Sequence, residues 1–239
     1  MSKIIIFGFS HSGTTILKSI IGHIKDVEEI IDETDIIKKK TSKKYIICKN
    51  THYKEKFMAD EYKDYIKIFI MRNPIYVYSS INKRFGHVGP GRVKFGYHAI
   101  SKYINIFKKF IYYKNNPVKN LYTIRYEDMF DNNYRNLKNI FDSIGFKYTD
   151  EIFDNSKYKN YSHSHRTTIM KNKPLCRPAH FPPRTGSDAH HERYRTWQIN
   201  QPFVFMNIPS KLDLTNEQKK IILNNKYILT IYPDIKSAF

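Results

Sequence analysis

Lys3-Ile4-Ile5-Ile6-Phe7-Gly8-Phe9-Ser10-His11-Ser12-Gly13-Thr14-Thr15-Ile16-Leu17 comes near the start of the chain, and its reading decides the fold. Residues 3–8 form a short apolar run dominated by β-branched Ile and bounded by glycine, the pattern of a buried strand. Residues 14–24 then place Leu17, Ile20, Ile21 and Ile24 at helical spacing, so a helix follows the turn at once. Such a turn offers backbone N–H groups with the positive end of a helix behind them, which is an anion site. Gly8 and Gly13 have the spacing of the nucleotide loop G-x-x-x-x-G-K-[ST]. Thr14 stands where that motif requires Lys, a residue that phosphoryl-transfer enzymes set against the β- and γ-phosphates. ATP chemistry is therefore disfavoured. A tight turn without a ligand is the plainer alternative. Against it stand Ser10, Ser12, Thr14, Thr15, His11 and two glycines, all within eight residues.

Outward from this loop, residues 45–48, 66–71 and 121–125 read as three further buried strands. Asn73-Pro74 is a helix start, with Asn as cap and Pro preset at the first helical position, and that helix is expected to reach about Arg84. Ile100, Ile104, Phe107 and Ile111 mark another helix; Leu137, Ile140, Phe141 and Ile144 mark a third, ended by Gly145. Residues 155–209 dissolve into Pro, His, Arg and Ser. Thr215-Asn216-Glu217-Gln218 has capping-box spacing before a last helix. Strands alternating with helices predict an α/β fold of three layers, a mostly parallel sheet flanked by helices. With no internal repeat and no linker, residues 1–239 read as one domain carrying an irregular segment at 155–209.

The 239 residues include 41 Lys and Arg against 22 Asp and Glu, a net charge of +19, with 41% hydrophobic and 15% aromatic residues. That apolar content excludes a disordered polyelectrolyte. No stretch approaches a transmembrane span, and Ile4 to Phe7 is too short for a signal-peptide core. Two cysteines, Cys48 and Cys176, do not make a disulfide framework and fit a reducing compartment, so a cytoplasmic location is expected. The positive charge invites a nucleic-acid reading. Most of the cations are Lys in an Ile- and Asn-rich chain, however, and no zinc-finger, helix-turn-helix or RNA-binding motif is present. An anionic small ligand explains the charge as well, and no nucleic-acid partner is expected. His163, His165, His180, His190 and His191 lack tetrahedral ligand spacing, so no metal is expected.

Four segments in order resemble the sulfotransferase family that uses 3′-phosphoadenosine 5′-phosphosulfate (PAPS). The family's 5′-phosphosulfate loop reads G-x-P-[KR]-S-G-T-T; here Ser12-Gly13-Thr14-Thr15 match, Ser10 replaces Pro and His11 replaces the cation. Arg72-Asn73-Pro74 with Ser80 eight residues after the Arg resembles its 3′-phosphate motif, in which a strand-end Arg offers a fork of donors. Tyr126-Glu127-Asp128-Met129 resembles its Tyr-Glu-Asp-[LM] strand end. The resemblance implies that Tyr126 reaches the adenine, while Glu127 and Asp128 read as structural or capping groups. The late stretch from His163 to Asn172, then Arg193-Tyr194-Arg195-Thr196-Trp197, is similar to the family's late nucleotide-binding segment. Arg193 and Arg195 are its candidates for a second hold on the 3′-phosphate, with Arg184 and Gly186 as a competing assignment. Ile16 stands where the cytosolic enzymes often carry Trp, which points toward the glycan-modifying and bacterial branches or a divergent group.

Sulfuryl transfer needs an acceptor hydroxyl deprotonated and aligned behind the sulfur, with the leaving phosphate stabilised. Lys49-Asn50-Thr51-His52 is similar to the cytosolic branch's Lys-Thr-His with one extra residue, and the resemblance makes His52 the general base. Glu55 is the fallback. His11 is expected to act on the bridging oxygen in place of the loop cation, with Lys49 sharing the task. PAPS is thus the implied co-substrate and PAP the product, with no metal. The short interval before His52 leaves little chain for a lid, which favours a carbohydrate, glycolipid or peptide hydroxyl as acceptor. Two rival readings remain: a silent PAP- or nucleotide-binding protein, and a kinase with a divergent P-loop.

Overall fold

The computed structural model describes residues 1–85, 98–154 and 212–238. Its centre is an all-parallel five-stranded sheet made of β1 (Ser2–Gly8), β2 (Val27–Glu33), β3 (Tyr45–Asn50), β4 (Ile66–Met71) and β5 (Leu121–Arg125). The spatial order is β2-β3-β1-β4-β5. β1 lies in the middle, with Ile5 opposite Cys48 on one side and opposite Lys67 on the other. Successive strand residues point to opposite faces, and the core divides accordingly. Ile4 and Ile6 pack with α1 (Thr14–Gly22) and α4 (Asp131–Ile144). Ile5 and Phe7 pack with α2 (Pro74–Phe85) and α3 (Ile100–Asn115), joined by α5 (Asn216–Asn224) and α6 (Lys226–Ile231). The result is the expected three-layer α/β architecture.

β1 is buried on both faces because helices cover both, which accounts for its unbroken Ile run. Gly8 ends the strand where nothing larger fits: a Cβ there would stand 2.1 Å from the Ile70 carbonyl oxygen of β4. The chain leaves β1 for the β3 side and returns on the β4 side. That reversal puts a crevice at the carboxyl end of β1, the usual ligand position in open α/β sheets.

Three features depart from the sequence reading. β2 is a fifth strand where four were expected. Its sequence, Val-Glu-Glu-Ile-Ile-Asp-Glu, lacks an apolar run because it is an edge strand whose acids meet lysines: Glu29 lies 2.9 Å from the buried Lys18 ammonium, and Glu33 lies 2.6 Å from Lys49. The C-terminal region holds two helices, not one. The capping box at Thr215 is formed in both directions, but Asn225 then accepts hydrogen bonds from the Tyr227 and Ile228 N–H groups and starts a new helix. Finally, α4 begins with a left-handed turn at Asn132, Asn133 and Tyr134 (φ of 48°, 55° and 61°). The apolar helical spacing begins only at Leu137 and gives no sign of it.

Candidate active site at the strand ends

Each of four strands delivers a candidate residue just past its carboxyl end: residues 9–13 after β1, His52 after β3, Arg72 after β4 and Tyr126 after β5. Segments that lie far apart in sequence therefore line one edge of the sheet.

The loop after β1 reverses through two left-handed residues, His11 at φ 65° and Gly13 at φ 96°. Gly13 is the N-cap of α1 and supplies no side-chain cap, and the first turn of α1 carries no acidic residue. The helix start thus keeps its positive character for an outside anion. Ser12 is fully buried, and its hydroxyl has no hydrogen-bond partner among the described residues. A buried hydroxyl without a partner is costly unless a ligand completes it. Ser10 and Thr14 are buried beside it, and Thr15 is half-buried at the start of α1.

His11 Nδ1 lies 2.8 Å from the Ser80 hydroxyl on α2. This contact joins the two segments assigned by resemblance to the two phosphate ends of one ligand. The Arg72 guanidinium lies 4.1 Å from the Tyr126 ring centre and 5.4 Å from that of Tyr76. Arg72 Nε is buried without a hydrogen-bond partner among the described residues. The Arg72 carbonyl accepts the Tyr103 hydroxyl at 2.6 Å, which anchors the strand end. Asn73 caps α2 by accepting the Ile75 N–H at 3.0 Å.

Glu127 and Asp128 are structural. Glu127 accepts the Asn73 N–H at 2.8 Å and the Tyr232 hydroxyl at 3.1 Å, and burial pushes its pKa above the ordinary carboxylate value. Asp128 holds Arg125 through both carboxylate oxygens. Tyr126 is only 4% exposed, which leaves almost no ring surface for a base to lie on.

The extra residue before Thr51 has a local role. Asn50 accepts the His52 N–H at 2.8 Å through its side-chain oxygen and donates its amide to Asp35. The Tyr53 N–H donates to the Gly8 carbonyl at 2.9 Å, so the His52 segment is stitched to the end of β1. His52 is half-buried, and burial, followed by the nearby Lys102, lowers its pKa from the ordinary histidine value. A neutral imidazole is the form a general base needs.

Lys49 is 1% exposed and its ammonium is committed to Glu33, whose other oxygen accepts the Thr51 hydroxyl at 2.9 Å. Glu55 faces outward, 3.3 Å from Lys109 of α3, and accepts the Tyr53 hydroxyl. Arg184, Arg193, Arg195 and the histidines at 163–191 lie outside the described residues. Among the described residues no group of His, Cys, Asp and Glu is arranged to hold a metal ion. No helix among them is long and apolar enough to cross a membrane. Tyr76, Glu33 and Lys102 were not singled out from sequence. Glu33 lay in the unrecognised strand, Tyr76 follows Arg72 closely on the first turn of α2, and Lys102 comes near His52 from α3.

No family model matches the sequence, and no curated protein does. Among solved structures, the chain is similar to mouse sulfotransferase SULT7A1 complexed with PAP. The TM-score is 0.56 at 16% identity, over 98% of this chain and 89% of that one. Sheet, helical layers and the loop after β1 together give this chain the sulfotransferase fold.

Proposed function

We propose that the protein is a PAPS-dependent sulfotransferase that modifies an acceptor hydroxyl, with carbohydrate or glycoconjugate as the preferred acceptor class. The observation that carries this reading is the 2.8 Å contact between His11 and Ser80, together with two buried donors, Ser12 Oγ and Arg72 Nε, that have no hydrogen-bond partner among the described residues. Two anion-binding elements meeting across one short contact suit a ligand with phosphate groups at both ends. The likeness to a PAP-bound sulfotransferase structure supports the same reading.

In this reading the start of α1, with Ser12, Thr14 and Thr15, holds the 5′-phosphosulfate, and Arg72 with Ser80 holds the 3′-phosphate. PAPS supplies an activated sulfuryl group with a phosphate as its leaving group. His52 takes the proton of the acceptor hydroxyl as the new S–O bond forms and the old one breaks. His11 stabilises the charge left on the departing phosphate oxygen, a role suited to its imidazolium form.

One observation favours the silent-binder reading: Lys49 is buried against Glu33 and so is not held free for the leaving group. Turnover decides between the two. Radiolabelled PAPS, offered with sugar, glycolipid, peptide and phenol acceptors, is expected to label a hydroxyl of the first three classes. Tight PAP binding with no labelled acceptor in any class would select the silent binder. Magnesium-dependent ATP hydrolysis would select the kinase.

A further inference from the structure

We infer that Tyr126 is a positioning residue that locks the phosphate loop to Arg72, with Tyr76 as a second ring against the guanidinium, and that it does not read the adenine. The inference rests on the sulfotransferase reading of the site. Three observations carry it. First, a Cβ at Gly13 would stand 2.3 Å from Cδ2 and 2.8 Å from Cε2 of Tyr126, so the ring is pressed against the loop backbone where only glycine fits. Second, the same ring lies 4.1 Å from the Arg72 guanidinium carbon, with the Tyr76 ring at 5.4 Å. Third, the Tyr126 N–H donates to the Met71 carbonyl at 2.7 Å, fixing the ring's backbone to the residue before Arg72. Phe130 packs on the ring at 5.1 Å and helps to bury it.

The chemistry explains why rings hold this Arg. A carboxylate partner would occupy the guanidinium's in-plane donors and cancel its charge. Aromatic rings attract the cation and leave those donors free for a phosphate. Arg72 Nε, buried and without a hydrogen-bond partner among the described residues, fits that arrangement. Because one ring touches both Gly13 and Arg72, loop and guanidinium are set as a unit with a fixed span between them.

Calorimetric titrations of the full chain with PAP, AMP and ribose 3,5-bisphosphate test this, the last being PAP without its base. Tyr126→Leu is expected to weaken PAP and the base-free ligand alike, each by about tenfold, as for loss of a partly buried cation–π contact. The conservative Tyr126→Phe keeps the ring and is expected to rescue both. Tyr76→Leu removes the second ring from Arg72, so it is expected to weaken PAP while leaving AMP unchanged, a split that general loosening of the fold does not produce. It also provides the test should Tyr126→Leu fail to fold. Loss of PAP affinity with the base-free ligand unaffected would make Tyr126 a base reader and overturn the inference. Equal losses of PAP and AMP in Tyr76→Leu would overturn the clamp. Failure of the unmodified protein to prefer PAP over AMP would instead remove the sulfotransferase reading on which the inference stands.

Discussion

His52→Ala is expected to lower sulfuryl turnover by about a thousandfold, within the range typical of a lost general base, while PAP affinity stays essentially unchanged. The split follows from position. His52 emerges from β3, whereas the groups proposed to bind phosphate emerge from β1 and β4. The Asn50 turn and the Tyr53–Gly8 hydrogen bond hold the segment by its backbone, so truncating the imidazole leaves that frame intact. The pH profile provides a second reading. Burial and then Lys102 lower the His52 pKa, so the neutral base persists to more acidic pH than an exposed histidine would allow. The limb on which kcat/KM falls with falling pH should therefore lie below the ordinary histidine range. The residual rate of His52→Ala should lack that limb. Normal turnover in this variant would show that the base is another group, with Glu55 the next candidate.

Arg72→Ala is expected to cost about 2–3 kcal/mol of PAP binding, the magnitude of hydrogen bonds to a charged group, or roughly 30- to 150-fold in Kd. AMP, which lacks the 3′-phosphate, should bind equally well to both forms. Arg72 is suited to so large an effect because its Nε is buried and two rings lie against its guanidinium, so little ordering is needed on binding. A parallel loss of AMP affinity would mean that Arg72 supports the fold of the site and does not contact the 3′-phosphate. Direct titration of the variant with both ligands separates the two.

Much of this was legible in the chain. The Ile run, the glycines and the immediate helical spacing are local signals, and β1, its loop and α1 follow from them. The Asn73-Pro74 start and the capping box at Thr215 are equally local, and both form as read. The edge strand β2 was not legible, because its glutamates are placed by lysines on α1 and β3 and not by burial of one face. The site divides the same way. Ser12, Arg72 and His52 could be named from motif spacing. That His11 meets Ser80, 69 residues away, follows only from the order in which β1 and β4 pair. Glu33 on Lys49 and Tyr126 on Arg72 are tertiary facts of the same kind.

The proposed function requires the carboxyl ends of the strands to read a nucleotide with phosphates at both ends. Calorimetric titration with PAP, with AMP and magnesium-ATP as controls, tests it most directly. Tight PAP binding is expected, with AMP weaker by at least about tenfold for want of the 3′-phosphate contacts. Equal binding of all three ligands, or binding of none, would contradict it.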